Sequence, residues 1–515
     1  MRKVKRIGCS ALAIIATAGA IGIIAARIPP TPPTPSPAPA VGAPRGAPNI
    51  LFLTVDDMNW DSTGAYGNPL RGITPNIDAL AASGARFEHA FVTSPICQPS
   101  RSAWMTGRYP PSSGAVGFLP INPGVATLPE TLRNAGWRIG ILAKNTHTPP
   151  LEPEAWDYWI SPRDLGVGRD PEAYYRHTRQ FIEDSQRAGR PFFLNANIQD
   201  PHRPFPEGRR AWWGDLLDFL APQGEMPPAP PRFVKPASVP VPGYLPDLPE
   251  VREELSQYYT AVHRADRSVG RIIQALRETG AEQNTIVVFA SDNGMAFPFA
   301  KQTLYDAGLR TNLIVRWPGR VPGAVVRSVM PSGVDIMPTL LEAAKLPAPR
   351  GMEGQSFLKA IAKIPQSAGD QPRRSAAVVG YVDRVDIKLP LIPRTELAYP
   401  SRSLTTPNTL YIWNGWAGGA REFLSESQTG LTYPAMTKAA DRDAQVAARV
   451  KLYLTRVPEE LFDRRADPDS LRNLVNDPGS AARLAAARRT LLAHLERTRD
   501  PQLAAYRAYL ASMQK

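Results

Sequence analysis

Two adjacent carboxylates, Asp56 and Asp57, close the apolar run "NILFLTVDD". Three further apolar runs end in polar residues. "GWRIGILA" leads into Lys144 and His147, "FFLNANIQ" into Asp200-Pro201-His202, and "TIVVFA" into Ser291-Asp292-Asn293-Gly294. Short apolar, β-branched runs of this kind read as buried strands. Open α/β sheets keep their sites at the carboxyl ends of such strands. The carboxylates Asp56, Asp57 and Asp292 with the amide of Asn293 are hard oxygen donors that suit Ca²⁺ or Mg²⁺, whereas zinc would call for more His or Cys. Taken singly, an Asp-Asp pair is also a common turn or helix cap, and Ser-Asp-Asn-Gly is an ordinary turn. Their shared placement points to one crevice.

A thiol stands apart from these four strand ends. The chain has 515 residues and two cysteines, Cys9 and Cys97. Arg2, Lys3, Lys5 and Arg6 precede an apolar run from Ile7 to Ala26, which reads as an export segment. It is either a removed signal, with small-residue patterns at Ala16-Thr17-Ala18 and Ala18-Gly19-Ala20, or a retained membrane anchor through residues 7–26. In both cases the bulk of the protein faces outward, periplasmic or extracellular. Cys9 stands near the start of the apolar run instead of ending it, which argues against lipid attachment. Without Cys9 the exported part holds one cysteine and no internal disulfide. Cys97, in "SPICQPSR", stands just before a predicted helix start, where free N–H groups favour negative charge, and Arg101 adds a fixed positive one. The ordinary alternative for a free cysteine is a small buried hydrophobe.

The elements that would position these groups alternate between strand and helix. Thr74-Pro75 opens a helix that ends before Gly84, and Thr127-Leu128-Pro129-Glu130 is a capping box opening another that stops at Gly136. Strands are predicted at Trp137–Ala143, Phe192–Ile198, Thr285–Ala290 and Leu313–Arg316, with a long helix over Glu253–Gly280. The expected fold is α/β: a large, mostly parallel sheet sandwiched by helices, over residues 49–365, with a smaller C-terminal α+β subdomain over 366–515. That subdomain carries short strands in "SAAVVGYV" and "NTLYIWNGW" and one final helix over 479–513. The Pro/Ala-rich stretch 28–48 reads as a linker behind the 1–27 export segment, and the Pro-rich 222–249 as a surface loop. No internal repeat is present. The net charge of +13 favours anionic partners, yet no basic run is interleaved with aromatics as a nucleic-acid groove requires.

The motif Cys97-x-Pro99-Ser100-Arg101 with Thr106-Gly107-Arg108 resembles the signature of the type I, formylglycine-dependent sulfatases of the alkaline-phosphatase-like superfamily. "PNILFLTVDD", "TPNIDALAASGARFEHAF", "DNGMAFPFAK", "LIVRWPG", "VDIMPTLLEAA" and "PEELFDRRADPDSLRNLVNDP" resemble further family segments in family order, over roughly 49 to 480. The resemblance implies that Cys97 is converted to formylglycine by a maturation enzyme. It implies that Asp56, Asp57, Asp292 and Asn293, with the modified Cys97, hold one Ca²⁺, Mg²⁺ being the other candidate. Arg101 and Lys144 match residues that steady the formylglycine and the sulfate, and His147 the histidine that assists its hydrated form. His202 and Lys301 match residues that contact the sulfate and its leaving group. A hydrated aldehyde offers two hydroxyls, one to attack sulfur and one to expel sulfate afterwards.

There is one departure. Where the family often has Gly-Lys-x-His, this chain has Ala143-Lys144-Asn145-Thr146-His147, so His147 also reads as a capping or surface histidine, and Lys301 as a solvated lysine. "NIQDPHRPFP" and "DNGMAFPFAK" resemble the N-sulfoglucosamine sulfohydrolase branch, which implies a sulfated saccharide substrate of the glycosaminoglycan type. The alternatives are an O-sulfatase of arylsulfatase type, a phosphonate or phosphodiester hydrolase of the same superfamily, or a non-catalytic glycan-binding protein with an unmodified Cys97.

Overall fold

The computed structural model describes residues 42–206, 232–362, 377–387, 395–419 and 421–513. The 1–27 export segment, most of the 28–48 linker and the first part of the 222–249 loop lie outside the described residues. Among those described, no helix is long and apolar enough to cross a membrane.

The strand Asn49–Val55 is buried along almost its whole length because it has a parallel partner on each side: Val55 pairs with Ile198 on one and with Ser291 on the other. That register puts Asp56, Gln199 and Asp292 in one row just past the sheet's carboxyl edge. The sheet has eight strands in the order Ala324–Val326, Ala85–Phe87, Leu313–Arg316, Thr285–Ser291, Asn49–Val55, Phe192–Ile198, Arg138–Leu142 and Tyr158–Ile160. Leu313–Arg316 runs against both its neighbours, and the other pairings are parallel.

Alternation along the strands divides the two faces. Phe52 meets Trp104 of the Cys97–Thr106 helix, with ring centroids 5.2 Å apart, so this face carries Phe52, Thr54, Asn195 and Asn197. A side chain at Gly140, opposite Leu194, would strike Phe181, which places the Pro171–Arg187 helix on the other face. The thirty-residue helix Pro249–Glu278 packs along Pro171–Arg187. Helices thus cover both sides, as the alternating pattern predicts.

The Thr127 capping box forms: Thr127 Oγ1 accepts from the Glu130 amide at 3.3 Å, and the Thr127 amide donates to Glu130 Oε2 at 3.2 Å. The short strands Ala85–Phe87, Tyr158–Ile160 and Ala324–Val326 have no counterpart in the sequence reading, since three residues are too few to show a period.

The C-terminal part is a four-stranded antiparallel sheet of Val378–Ile387, Thr395–Thr405, Thr409–Asn414 and Glu459–Asp463. It packs through Tyr411, Trp413 and Leu461 against Leu491, Leu495 and Tyr506. The single terminal helix expected over 479–513 is two helices, Ala481–Thr498 and Leu503–Ser512. The break has a physical cause: Arg499 turns left-handed at φ 51°, Pro501 has no N–H to continue the ladder, and the buried Asp500 pairs with Arg402 at 2.8 and 2.9 Å. Arg464, just past the last strand, grips Asp306 at 2.7 and 2.9 Å and ties the small sheet to the segment that carries Lys301.

Candidate active site

Cys97 is the first residue of the Cys97–Thr106 helix, whose ten residues are all buried. The sequence therefore placed it correctly to within one position. Its Sγ lies 3.4 Å from Asp56 Oδ1 and is 1% exposed. Burial, reinforced by the Asp56 carboxylate, pushes the thiol well above its usual range, so it stays protonated at neutral pH. A protonated thiol is a poor nucleophile.

Arg101, one helical turn on, binds strand ends together. Nε and Nη2 reach Asp292 Oδ2 at 2.9 and 2.7 Å, and Nη1 donates to Thr54 Oγ1 at 3.0 Å and to Asn197 Oδ1 at 2.7 Å. Burial opposes its charge, but Asp292 and Asp56 outweigh that and hold the guanidinium above its usual range. Three central strands are thus pinned by one side chain with no exposed surface.

The carboxylates converge on the same point. Asp56, Asp57 and Asp292 each bring an oxygen within 4.8 Å of the others. Asp57 sits at φ 65° and donates its backbone N–H to Asp292 Oδ1 at 3.1 Å. Asn293 Nδ2 donates to Asp57 Oδ1 at 2.7 Å, leaving Asn293 Oδ1 buried and without a partner. Burial first, then Asp56, pushes the Asp292 carboxyl up to about 8. Burial would also raise Asp56, but Lys144, His202 and Arg101 together hold it well below the carboxylate range. Crowded buried carboxylates with an orphaned amide oxygen fit a hard divalent cation, which would relieve their mutual repulsion. Asp56, Asp57, Asp292 and Asn293 are the residues that would hold it.

Two lysines flank this cluster. Lys144 Nζ pairs with Asp56 Oδ2. Both Ala143 and Lys144 are left-handed, at φ 55° and 52°, a conformation that favours glycine. The alanine at 143 therefore takes, at some local strain, a turn that a glycine would adopt freely, and the lysine reaches the site. Lys301 is 1% exposed and lies 2.8 Å from Asp57 Oδ1 and 2.8 Å from Glu426 Oε2. Burial opposes its charge, while Asp57, Cys97 and Glu426 raise it well above the lysine range. The reading of Lys301 as a solvated lysine is excluded by its burial.

The histidines differ. His202 Nδ1 lies 2.5 Å from the Arg203 carbonyl, which accepts from Nδ1–H and leaves Nε2 facing Glu426 Oε1 at 3.4 Å and Asp57 Oδ2 at 3.9 Å. Burial, with Lys301, lowers its pKa. His147 packs edge-on to Phe118, centroids 5.3 Å apart, and its buried Nδ1 lacks a partner. Burial, then Lys144, pushes it well below the histidine range. Asp200, next to His202, plays a different part: it is saturated by Arg169 at 2.9 Å and by Arg264 at 2.5 and 2.9 Å, and it holds the loop in place.

Asp56, Asp57, Cys97, Arg101, Lys144, His202, Asp292, Asn293 and Lys301 therefore meet at one edge of the sheet, with His147 near Lys144. Three contributors were missed. Thr54 and Asn197 stand on the strands one step before the polar ends, and their alternation toward the Arg101 face was readable in principle. Glu426 comes from the C-terminal part, in "LSESQ", where nothing local sets it apart.

Residues 48–346 match the sulfatase family. The chain belongs to that family. It is 29% identical to human N-sulphoglucosamine sulphohydrolase over 488 residues, covering 89% of this chain and 91% of that protein. It is 32% identical to dog N-acetylgalactosamine-6-sulfatase over 392 residues, covering 62% of this sulfatase and 67% of that one. Among solved structures, a protein in complex with its substrate D-glucosamine-2-N,6-O-disulfate superposes with a TM-score of 0.61 at 18% identity, covering 88% of this chain and 99% of that one. The sulfatase fold, with its large mixed sheet and smaller antiparallel sheet, and the class of sulfuric ester hydrolase follow.

Proposed function

We propose that this sulfatase removes sulfate from a saccharide of the glycosaminoglycan type, with N-sulfoglucosamine as the favoured unit, using a formylglycine made from Cys97 and a divalent cation. The observation that carries the chemistry is the state of Cys97: a buried, protonated thiol set among oxygen ligands and 3.4 Å from Asp56. Sulfur is a mismatch for a hard cation, and oxygen at that position is a match. The N-sulfo preference is supported by similarity to the human sulphohydrolase along nearly the whole of both chains. Hydrolysis of an O-sulfate is the second reading, supported by the slightly higher identity to the 6-sulfatase over a shorter span.

Formylglycine supplies a hydrated aldehyde as nucleophile, and the cation supplies charge to the sulfate oxygens. The remaining work belongs to the chain's own residues. Lys144 and Lys301 bring positive charge to either side of the sulfate. Arg203 O fixes the His202 tautomer, so Nε2 faces the cleft and can carry a proton to the departing nitrogen or oxygen. Burial and Lys301 oppose that proton and hold the His202 pKa below the usual histidine value, while Asp57 and Glu426 favour it. His147 stands close enough to Lys144 for that lysine to oppose its charge, and its buried Nδ1 has no partner, so it is the histidine assigned to assist the hydrated aldehyde. The reading includes export to the periplasm or the outside, where anionic glycans are met, and a maturation enzyme acting on "CQPSR".

The test is a substrate panel on purified, matured protein: N-sulfo-D-glucosamine, N-acetylgalactosamine 6-sulfate, an aryl sulfate and a phosphodiester. Hydrolysis of the N-sulfated sugar with the highest kcat/KM is expected, and activity confined to the phosphodiester would overturn the reading. Chelation with EDTA is expected to lower the melting temperature as well as activity, because three buried carboxylates lose their counter-charge. A ligand at 100 times its Kd contributes about 2.7 kcal/mol to stability, and that amount should return on adding Ca²⁺ or Mg²⁺. An unchanged melting temperature would refute the cation site.

A further inference from the structure

The groups that bind and attack the sulfate are sealed: Cys97 and Lys301 are each 1% exposed, and Asp56 and Asp292 are fully buried. Water reaches the site at the His202 ring, 22% exposed, and at the Glu426 carboxylate, 29% exposed. Among the described residues that contact the buried groups, these two are the more exposed, so they are the side chains an entering sugar would meet.

Glu426 is held in place there. Its backbone N–H donates to Gln302 Oε1 at 3.0 Å. The preceding residue, Ser425, is fixed by Gln428 Oε1 at 3.0 Å and by the Tyr453 hydroxyl at 2.6 Å. Glu426 is not the sole partner of Lys301, because Asp57 also contacts it with both oxygens, at 2.8 and 2.9 Å. A carboxylate at the mouth of a site for anions opposes the substrate's own charge, so besides favouring the proton on His202 it selects for a substrate that presents a donor to it.

We infer that Glu426 is the specificity-determining residue of the cleft. It accepts a hydrogen bond from a hydroxyl or ammonium on the sugar carbon next to the one bearing the scissile sulfate. It also disfavours sugars with a second anion at that neighbouring position. Within the saccharide reading, the substrate class is thus a sugar whose hydroxyl or ammonium next to the scissile sulfate is free. This inference rests on the saccharide reading above and deepens it.

The experiment measures kcat and KM of matured wild type, E426Q and E426D on N-sulfo-D-glucosamine, N,3-O-disulfo-D-glucosamine and 4-nitrophenyl sulfate. For E426Q, KM for the monosulfated sugar is expected to rise about tenfold, the scale of a lost hydrogen bond to a charged group, and its preference over the disulfated sugar to narrow by a similar factor. E426D keeps the charge at a shorter reach. It is expected to keep rejecting the disulfated sugar while its KM for the monosulfated one rises, and it decides the matter if E426Q does not fold. An unchanged preference, or an equal loss on all three substrates, would overturn the inference and leave Glu426 a charge-balancing group for Lys301. If wild type cleaves the aryl sulfate but neither sugar, the saccharide reading itself falls, and the inference with it.

Discussion

Cys97→Ala is expected to lower kcat/KM toward every sulfate ester by a factor on the order of 10⁴ or more, with little change in folding stability. The small effect on stability follows from the site: a methyl in place of the thiol removes one sulfur atom from a helix start that Arg101 and the helix packing hold independently. The large effect on rate follows because, among the described residues, no other thiol or hydroxyl is set against Asp56 as Cys97 is. Ser100 and Ser102 lie on the same helix but are not among the side chains that reach Asp56. The thiol itself would serve poorly, since burial and Asp56 keep it protonated, and a sulfur nucleophile would have no second hydroxyl with which to expel the bound sulfate. Mass spectrometry of the tryptic peptide Phe87–Arg101 provides the independent readout. Active protein should yield the peptide lighter by the difference between CH₂SH and CHO. A reduced thiol throughout a fully active preparation would refute the formylglycine mechanism, as would a Cys97→Ala variant within tenfold of wild type.

Most of this site was legible in the sequence for one physical reason. A parallel sheet places the residues after each strand on a common edge, so polar groups following separate apolar runs are neighbours before any contact is known. Asp56, Asp292 and His202 are found this way, and Val55 does pair with both Ile198 and Ser291. Glu426 is invisible to that logic. It arrives from the C-terminal part on a short turn and reaches Lys301 through the docking of two sheets, which no local period encodes. The terminal helix failed for the opposite reason: Pro501 was in plain view, but the strong Ala/Arg helix propensity on both sides masked the break. The turn at Ala143 and Lys144 shows a third case. Sequence comparison sees alanine for glycine, while the backbone keeps the left-handed turn that the glycine would have eased.

Arg101→Met is expected to destabilise the fold by about 3–5 kcal/mol, the cost of leaving a buried charge without its partner. The sequence assigns Arg101 to the formylglycine and the sulfate. Its geometry shows Nε and Nη1 bonded to Asp292, Thr54 and Asn197, with Asp292 Oδ2 at 2.7 Å and Asp56 Oδ1 at 3.9 Å from Nη2. Removing it leaves Asp292 Oδ2, already pushed up by burial and by Asp56, facing an apolar side chain, and takes one donor each from Asn197 Oδ1 and Thr54 Oγ1. Thr54 Oγ1 and Asn197 Oδ1 retain their 2.7 Å bond to each other, which limits the loss to the Asp292 side. Arg101→Lys keeps one charge but cannot reach three strands at once, so it should fall between wild type and Arg101→Met. Urea unfolding monitored by tryptophan fluorescence, which reports on the adjacent Trp104, reads the effect directly. A stability loss under about 1 kcal/mol combined with an abolished kcat would return Arg101 to a direct catalytic role, because a positioning residue cannot be removed from the junction of three strands without loosening it.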